Sequence, residues 1–147
     1  MIRQPALARS GPSNDFDIRI TFDGGSRGNP GQGYGSFVSQ GVITTEQPVR
    51  LEYPGRLTNN EAEYQTLIEA LRSVQEQMAQ RGLQPGALSV QVLSDSKLVV
   101  EQVNQRWKIK QPHLLPLATE ARQLLRAFGR FDLAWHGRAE SVRLLGH

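Results

Sequence analysis

The stretch from Ile18 to Gly35 constrains this chain more than any other. Ile18, Ile20 and Phe22 alternate with Arg19 and Thr21, the period-two pattern of a half-buried strand. The pattern runs into a carboxylate, Asp23, and is then expected to break into a loop with glycines at 24, 25, 28 and 31 and a proline at 30. It resumes with Tyr34, Phe37 and Val38, so a second strand is expected to pair back on the first. An acid at the end of a buried strand, beside a loop of little side-chain bulk, can hold a divalent cation while backbone N–H groups approach a polyanion. A glycine-rich hairpin whose Asp binds turn amides has the same local signature. Further acids at the ends of neighbouring elements would separate the two.

The remaining pattern supplies such elements in order. Val49 and Leu51 alternate with Arg50 and Glu52, predicting a third strand over Pro48 to Tyr53 that Pro54 and Gly55 end. Leu67, Ala70, Leu71, Val74 and Met78 recur at helical spacing, with Gly82 as a stop. Thr58-Asn59-Asn60-Glu61 fits a capping box, which gives Glu61 a structural task. Glu63 projects from another side of that helix, either as a solvated first-turn acid or as a metal ligand. Leu88 to Leu93 reads as a buried strand ending at Ser94-Asp95-Ser96, before a helix carrying Leu98, Val99, Val100 and Val103. Asp95 thus repeats the position of Asp23, and it is either a helix cap or a second strand-end ligand. The strand–helix–strand order makes this strand parallel to the first and puts both ends on one edge of the sheet.

Between Gln102 and Gln111, Arg106, Lys108 and Lys110 interleave with Trp107 and Ile109. This is either a surface for a phosphate backbone or, the reading preferred for Trp107, a loop with its apolar residues in the core. Leu114, Leu117, Ala121, Leu124, Leu125 and Phe128 predict a third helix. Phe131, Leu133 and Trp135 predict a last strand, and Val142, Leu144 and Leu145 the inward side of a short closing helix.

Composition sets the outer bounds. At 147 residues the chain suits one domain, read as 15–147, behind a flexible, slightly basic tail over 1–14. Seventeen Lys and Arg against fourteen Asp and Glu suit a nucleic-acid partner without requiring one. The lack of Cys removes disulfides, thiolate nucleophiles and Cys-based zinc sites, and no apolar run approaches a membrane span. The chain reads as a cytoplasmic monomer with no membrane partner. Asp23, Glu63 and Asp95 together suit hard oxygen ligation of Mg²⁺ or Mn²⁺. Two such ions about 4 Å apart could activate water and stabilise the leaving oxygen of a phosphodiester.

With those residues in place, the sequence resembles the ribonuclease HI family over roughly Asp17 to Arg138. DGGSRGNPGQGYG at 23–35, TNNEAEY at 58–64 and SDSKLVV at 94–100 resemble its first three motifs. The resemblance implies an α/β, RNase H-like fold: a mixed five-stranded sheet, strands 1–3 antiparallel and the later strands parallel, flanked by helices. It assigns the catalytic and metal-binding acids to Asp23, Glu63 and Asp95, choosing Glu63 over Glu61, and implies two ions when substrate is bound. The segment 103–117 is similar to compact members in which a turn replaces a basic protrusion.

The implied activity is hydrolysis of the RNA strand of an RNA–DNA hybrid by metal-activated water, leaving 5′-phosphate and 3′-hydroxyl ends. Asn29, Asn59 and Asn60, with backbone at Gly24, Gly25 and Ser26, would meet 2′-hydroxyls in the minor groove. Arg56 and Thr58 would hold a DNA-strand phosphate, and Arg138 would also meet substrate. The family motif W-x-x-R-x-x-N-x-x-x-D is broken here: Trp135 and Arg138 match, but Ser141 falls at the Asn and Leu145 at the final Asp. Either His147 or Glu140 replaces that fourth ligand, or the site has three acids. The alternative function is a catalytically impaired protein of the same fold that binds hybrid or duplex without cutting it.

Overall fold

The first strand supplies the centre of the molecule. In a computed structural model that describes residues 15–146, Ile18, Ile20 and Phe22 are fully buried on one face of β1 (Ile18–Arg27). The tail expected over 1–14 and the terminal His147 lie outside the described residues. Strand β2 (Gly31–Gly41) and then β3 (Val49–Leu57) pair antiparallel beyond β1. On its other side β4 (Ser89–Ser94) and then β5 (Arg130–Trp135) pair parallel, giving the order β3-β2-β1-β4-β5. This is the mixed five-stranded sheet that the family resemblance implies.

Helix α1 (Asn59–Gln80) lays Tyr64, Leu67, Ile68, Leu71, Val74 and Met78 on the face made by Phe22, Phe37, Val90 and Val92. Each such side chain contributes about 1.5–3 kcal/mol by leaving water, so this layer is the main source of stability. Helices α2 (Lys97–Val103) and α3 (Leu115–Arg126) complete the layer, and α3 packs Ala118, Ala121 and Leu125 inward. A short α4 (Arg138–Leu145) packs on β1 and β2. Among the described residues no helix is long and apolar enough to cross a membrane.

Several local expectations are corrected. The first strand does not break at Gly24: it continues to Arg27, paired with Gln32, and only residues 28–30 form the turn. Glycine serves close approach here rather than loop flexibility. A Cβ on Gly24 would lie 2.6 Å from the Ala62 carbonyl oxygen, so its absence lets α1 sit directly on β1. Nor do Pro54 and Gly55 end β3, which runs on to Leu57. The register jumps there, with Gln32 opposite Arg56 but Gly33 opposite Tyr53. Pro54 is tolerated because this irregularity lies on an edge strand.

The outward residues also differ from expectation. Trp107 is 45% exposed rather than in the core, because α2 stops at Val103 and the chain turns outward through Gln105 at φ 63°. Ile109 does pack against the core. On β5, Leu133 and Ala134 are buried while Phe131 and Trp135 are exposed, since this strand is an edge. On α4 the inward residues are Ser141 and Leu145, four apart on one face, and Val142 is exposed.

Gly24→Ala is expected to destabilise the protein by about 1–3 kcal/mol, because backbone rather than a pliable side chain stands in the way. Urea unfolding should show a lower midpoint with an unchanged slope. A midpoint matching the parent would mean that α1 has room to move off β1.

Candidate active site

Three backbone features deliver three acids to one place. Asp23 sits within β1, on the face opposite the Phe22 layer. Asp95 follows the last residue of β4, and β4 runs parallel to β1, so both approach the same sheet edge. Glu63 comes from the start of α1, held close by the Gly24 contact. One carboxylate oxygen from each lies within 4.8 Å of the others.

The competing structural tasks belong to other residues. The Thr58 N–H donates to Glu61 Oε1 at 2.8 Å and the Glu61 N–H donates to Thr58 Oγ1 at 3.1 Å, a complete capping box. Ser96, not Asp95, caps α2 by accepting from the Val99 N–H at 3.4 Å. Glu63 and Asp95 are therefore not engaged as caps.

Electrostatics follow from the crowding. Burial pushes the Glu63 carboxyl from its ordinary 4.5 up to about 7, and Asp23 and Asp95 push it the same way. A hydrogen bond with Ser96 and the charge of Arg138 oppose the rise. Arg138, the first residue of α4, donates from Nη1 to Asp23 Oδ2 and to Asp95 Oδ2, each at 3.1 Å. A guanidinium nitrogen between two carboxylate oxygens marks a point where the site already favours positive charge. Three hard oxygen donors within 4.8 Å of one another suit a hard divalent cation.

The rim beside the acids is a connected net. The Ser26 N–H donates to Asn59 Oδ1 at 2.9 Å, and the Asn59 N–H donates to Asn29 Oδ1 at 3.1 Å. Ser26 Oγ donates to the Leu57 carbonyl at 2.8 Å, and Arg56 Nη2 to the Pro30 carbonyl at 3.2 Å. The β1–β2 turn and the start of α1 are thereby joined. Asn60 lies half-buried in the first turn of α1. Gly24 and Gly25 are buried within β1, so of that trio only Ser26 reaches the surface.

Of the fourth-ligand candidates, Glu140 is not brought to the cluster. The Glu140 carboxylate is tied to Arg143, at 2.9 and 3.2 Å, and is not in the three-acid group. Leu145 is fully buried, and His147 lies outside the described residues. One buried residue escaped sequence reasoning. His136 shares a 2.9 Å hydrogen bond between Nε2 and Ser141 Oγ, tying β5 to α4 on either side of Arg138. Burial lowers its pKa against the pull of Asp95, Glu140 and Asp23, favouring the neutral ring. Its only sequence signal is a polar pair five apart across a predicted strand–helix junction.

Comparison with known proteins returns a consistent set. A family model described as reverse transcriptase-like matches residues 39–142. A bifunctional protein of Mycobacterium tuberculosis, Rv2228c, is 43% identical over 126 residues, covering 85% of this chain and 32% of that protein. The chain thus spans about a third of the length of that relative. The solved N-terminal RNase H domain of Rv2228c superposes with a TM-score of 0.72 at 38% identity, covering 89% of this chain and 91% of that one. The ribonuclease HI of Halobacterium salinarum is 33% identical over 141 residues, 90% of this chain and 62% of that protein. A structure of LC11-RNase H1 in complex with an RNA/DNA hybrid gives a TM-score of 0.73 at 29% identity, over 86% of this chain and 90% of that one.

Glu63 also makes metal-free stability depend on pH. The folded chain keeps this carboxyl protonated to about 7, whereas the unfolded chain ionises near 4.5. Its contribution is therefore fully present below the unfolded value and is lost as pH rises through the folded one. The difference corresponds to roughly 3 kcal/mol. Thermal melts in a chelator should show Glu63→Gln losing less stability than the parent between those two pH values. Parallel curves would remove Glu63 as the source.

Proposed function

The chain belongs to the ribonuclease HI family, and on that premise we propose that it hydrolyses the RNA strand of RNA–DNA hybrids. The observation that carries this reading is the convergence of Asp23, Glu63 and Asp95 beside the Ser26–Asn29–Asn59 net. A pure binding surface gains nothing from three carboxylates placed where a phosphate backbone must approach. A cleavage site needs them, to hold a hard divalent cation that, when bound, supplies a low-pKa water and neutralises developing charge. Attack at phosphorus with loss of the 3′-oxygen would leave 5′-phosphate and 3′-hydroxyl ends.

The rim residues retain the groups that substrate recognition requires. Asn29 and Asn59 use their amide oxygens internally, so each side-chain NH₂ can donate to a 2′-hydroxyl, the group that distinguishes RNA from DNA. Asn60 extends the same edge. Thr58 accepts the capping bond through Oγ1, and its O–H can still donate to a DNA-strand phosphate. Cap and substrate contact are therefore compatible in one side chain. Arg56 uses one donor on Pro30 and has others for the same phosphate. The reading takes 15–147 as one catalytic domain, acting as a monomer in the cytoplasm.

The absence of an acid at Leu145 favours the second reading, a hybrid binder that does not cut. Incubating the chain with labelled hybrid, RNA duplex and DNA duplex, with and without Mg²⁺ or Mn²⁺, separates the two. The expected result is metal-dependent cutting of RNA in the hybrid alone, with Asp23→Asn or Asp95→Asn lowering kcat at least about a hundredfold, nearly 3 kcal/mol in barrier. Hybrid retained intact by the parent chain under every metal condition would establish the binder instead.

A further inference from the structure

One face of the sheet carries a cavity that the acid cluster and its rim do not use. Tyr34 and Ser36 on β2, with Arg50 and Glu52 on β3, fall on the face that Asp23 occupies. Among the described residues, Arg27, Tyr34, Gly35, Arg50, Leu51 and Glu52 line a cavity there of about 370 Å³, a size usual for small-molecule sites. Its walls are set in advance. A Cβ on Gly25 would lie 2.6 Å from Tyr34 Oη, so the missing side chain lets the phenol lie down across β1. The Arg27 guanidinium covers the same ring, 5.0 Å from its centroid. Both Glu52 oxygens accept from Arg27, from Nη1 at 3.1 Å and from Nη2 at 3.2 Å. Arg50, the second cation, uses Nη2 on the Leu145 carbonyl at 3.1 Å and has further donors to offer.

Two arginines and one carboxylate leave the cavity positive. Glu52 fills the Arg27 fork as a tethered stand-in for an anion, because guanidinium takes carboxylate and phosphate in the same bidentate geometry. A singly charged ligand gains little by displacing a carboxylate already held in place, which sets aside internal phosphodiesters. A phosphate monoester carries about −1.5 to −2 at neutral pH and can engage both arginines together. The Tyr34 ring and the backbone at Gly35 and Leu51 offer a sugar and base a partly apolar surface beside it. We propose that this cavity binds a nucleotide through its terminal phosphate monoester, with Arg27 and Arg50 on the phosphate and Glu52 as the built-in competitor. Strands about 4.8 Å apart put Arg50, in the row Asp23–Ser36–Arg50, roughly 10 Å across the sheet from Asp23. The ligand has two sources: a free 5′-mononucleotide, or the 5′-phosphate end of an RNA strand, which is the end the proposed cleavage leaves.

The test titrates the full chain by calorimetry, in chelator so that no metal joins a ligand to the acids. The ligands are 5′-AMP, adenosine, inorganic phosphate, and a tetraribonucleotide with and without a 5′-phosphate. AMP should bind, with adenosine and inorganic phosphate each at least tenfold weaker. Arg27→Gln and Arg50→Gln should each weaken AMP at least fivefold, whereas Glu52→Gln should tighten it at least threefold. The Arg27 and Glu52 side chains are 59% and 64% exposed, so their variants keep the fold even if losing the Arg50–Leu145 bond loosens α4. A tetranucleotide that binds like AMP only when 5′-phosphorylated supports the strand end as ligand, and binding of AMP alone supports the free nucleotide. No AMP uptake at millimolar concentration, adenosine or inorganic phosphate binding as tightly as AMP, or Glu52→Gln no tighter than the parent would overturn the proposal. Only the strand-end arm rests on the cleavage reading. With neither hybrid nor metal present, a failed titration leaves the hybrid assay standing, and a failed hybrid assay leaves AMP binding to be judged by itself.

Discussion

Everything at the proposed site depends on holding like charges together. At an effective dielectric near 20, two unit charges about 4 Å apart repel by about 4 kcal/mol, and three carboxylates crowd this edge. The fold answers in two ways. Glu63 is pushed toward the protonated state, and Arg138 is set between the other two acids. Neither response would suffice without a rigid frame, because side chains free to move would simply separate. The frame is the α1–β1 contact, built on the buried layer of Phe22, Tyr64, Leu67 and Ile68.

Gly24 shows how sequence reaches that frame. In sequence the residue looks like part of a glycine-rich loop of little side-chain bulk. In the fold it is a paired strand residue whose missing Cβ lets the helix backbone touch the strand. The same approach sets where Glu63 stands relative to Asp23, so one small residue acts on packing and on chemistry together. The net from Ser26 through Asn59 to Asn29 then fixes the turn against the helix start, giving a recognition rim attached to the same contact. Relatives with solved structures share this architecture at 29–38% identity, and one of them was solved with a hybrid bound.

The places where sequence reasoning fell short share a physical cause. Trp107 and Val142 are apolar and sit at plausible spacings, but exposure depends on whether a neighbouring element arrives to cover them, and among the described residues both are left exposed. Pro54 and Gly55 are ordinary strand breakers, yet an edge strand absorbs them as an irregularity. His136 and Ser141 become partners only because β5 and α4 meet at an angle that no periodicity encodes.

Local chemistry was therefore legible from residues alone: the alternation of β1, the capping box at Thr58 and Glu61, and an acid, Asp95, just past the end of β4. These depend on neighbours within a few positions, where backbone geometry is nearly fixed. The tertiary structure alone decided that Arg138 spans Asp23 and Asp95, that Glu63 is crowded enough to shift its proton affinity, and that Leu145 is sealed in the interior. Each is a distance between residues 32 or more positions apart, and such distances are set by how layers pack rather than by any pattern along the chain.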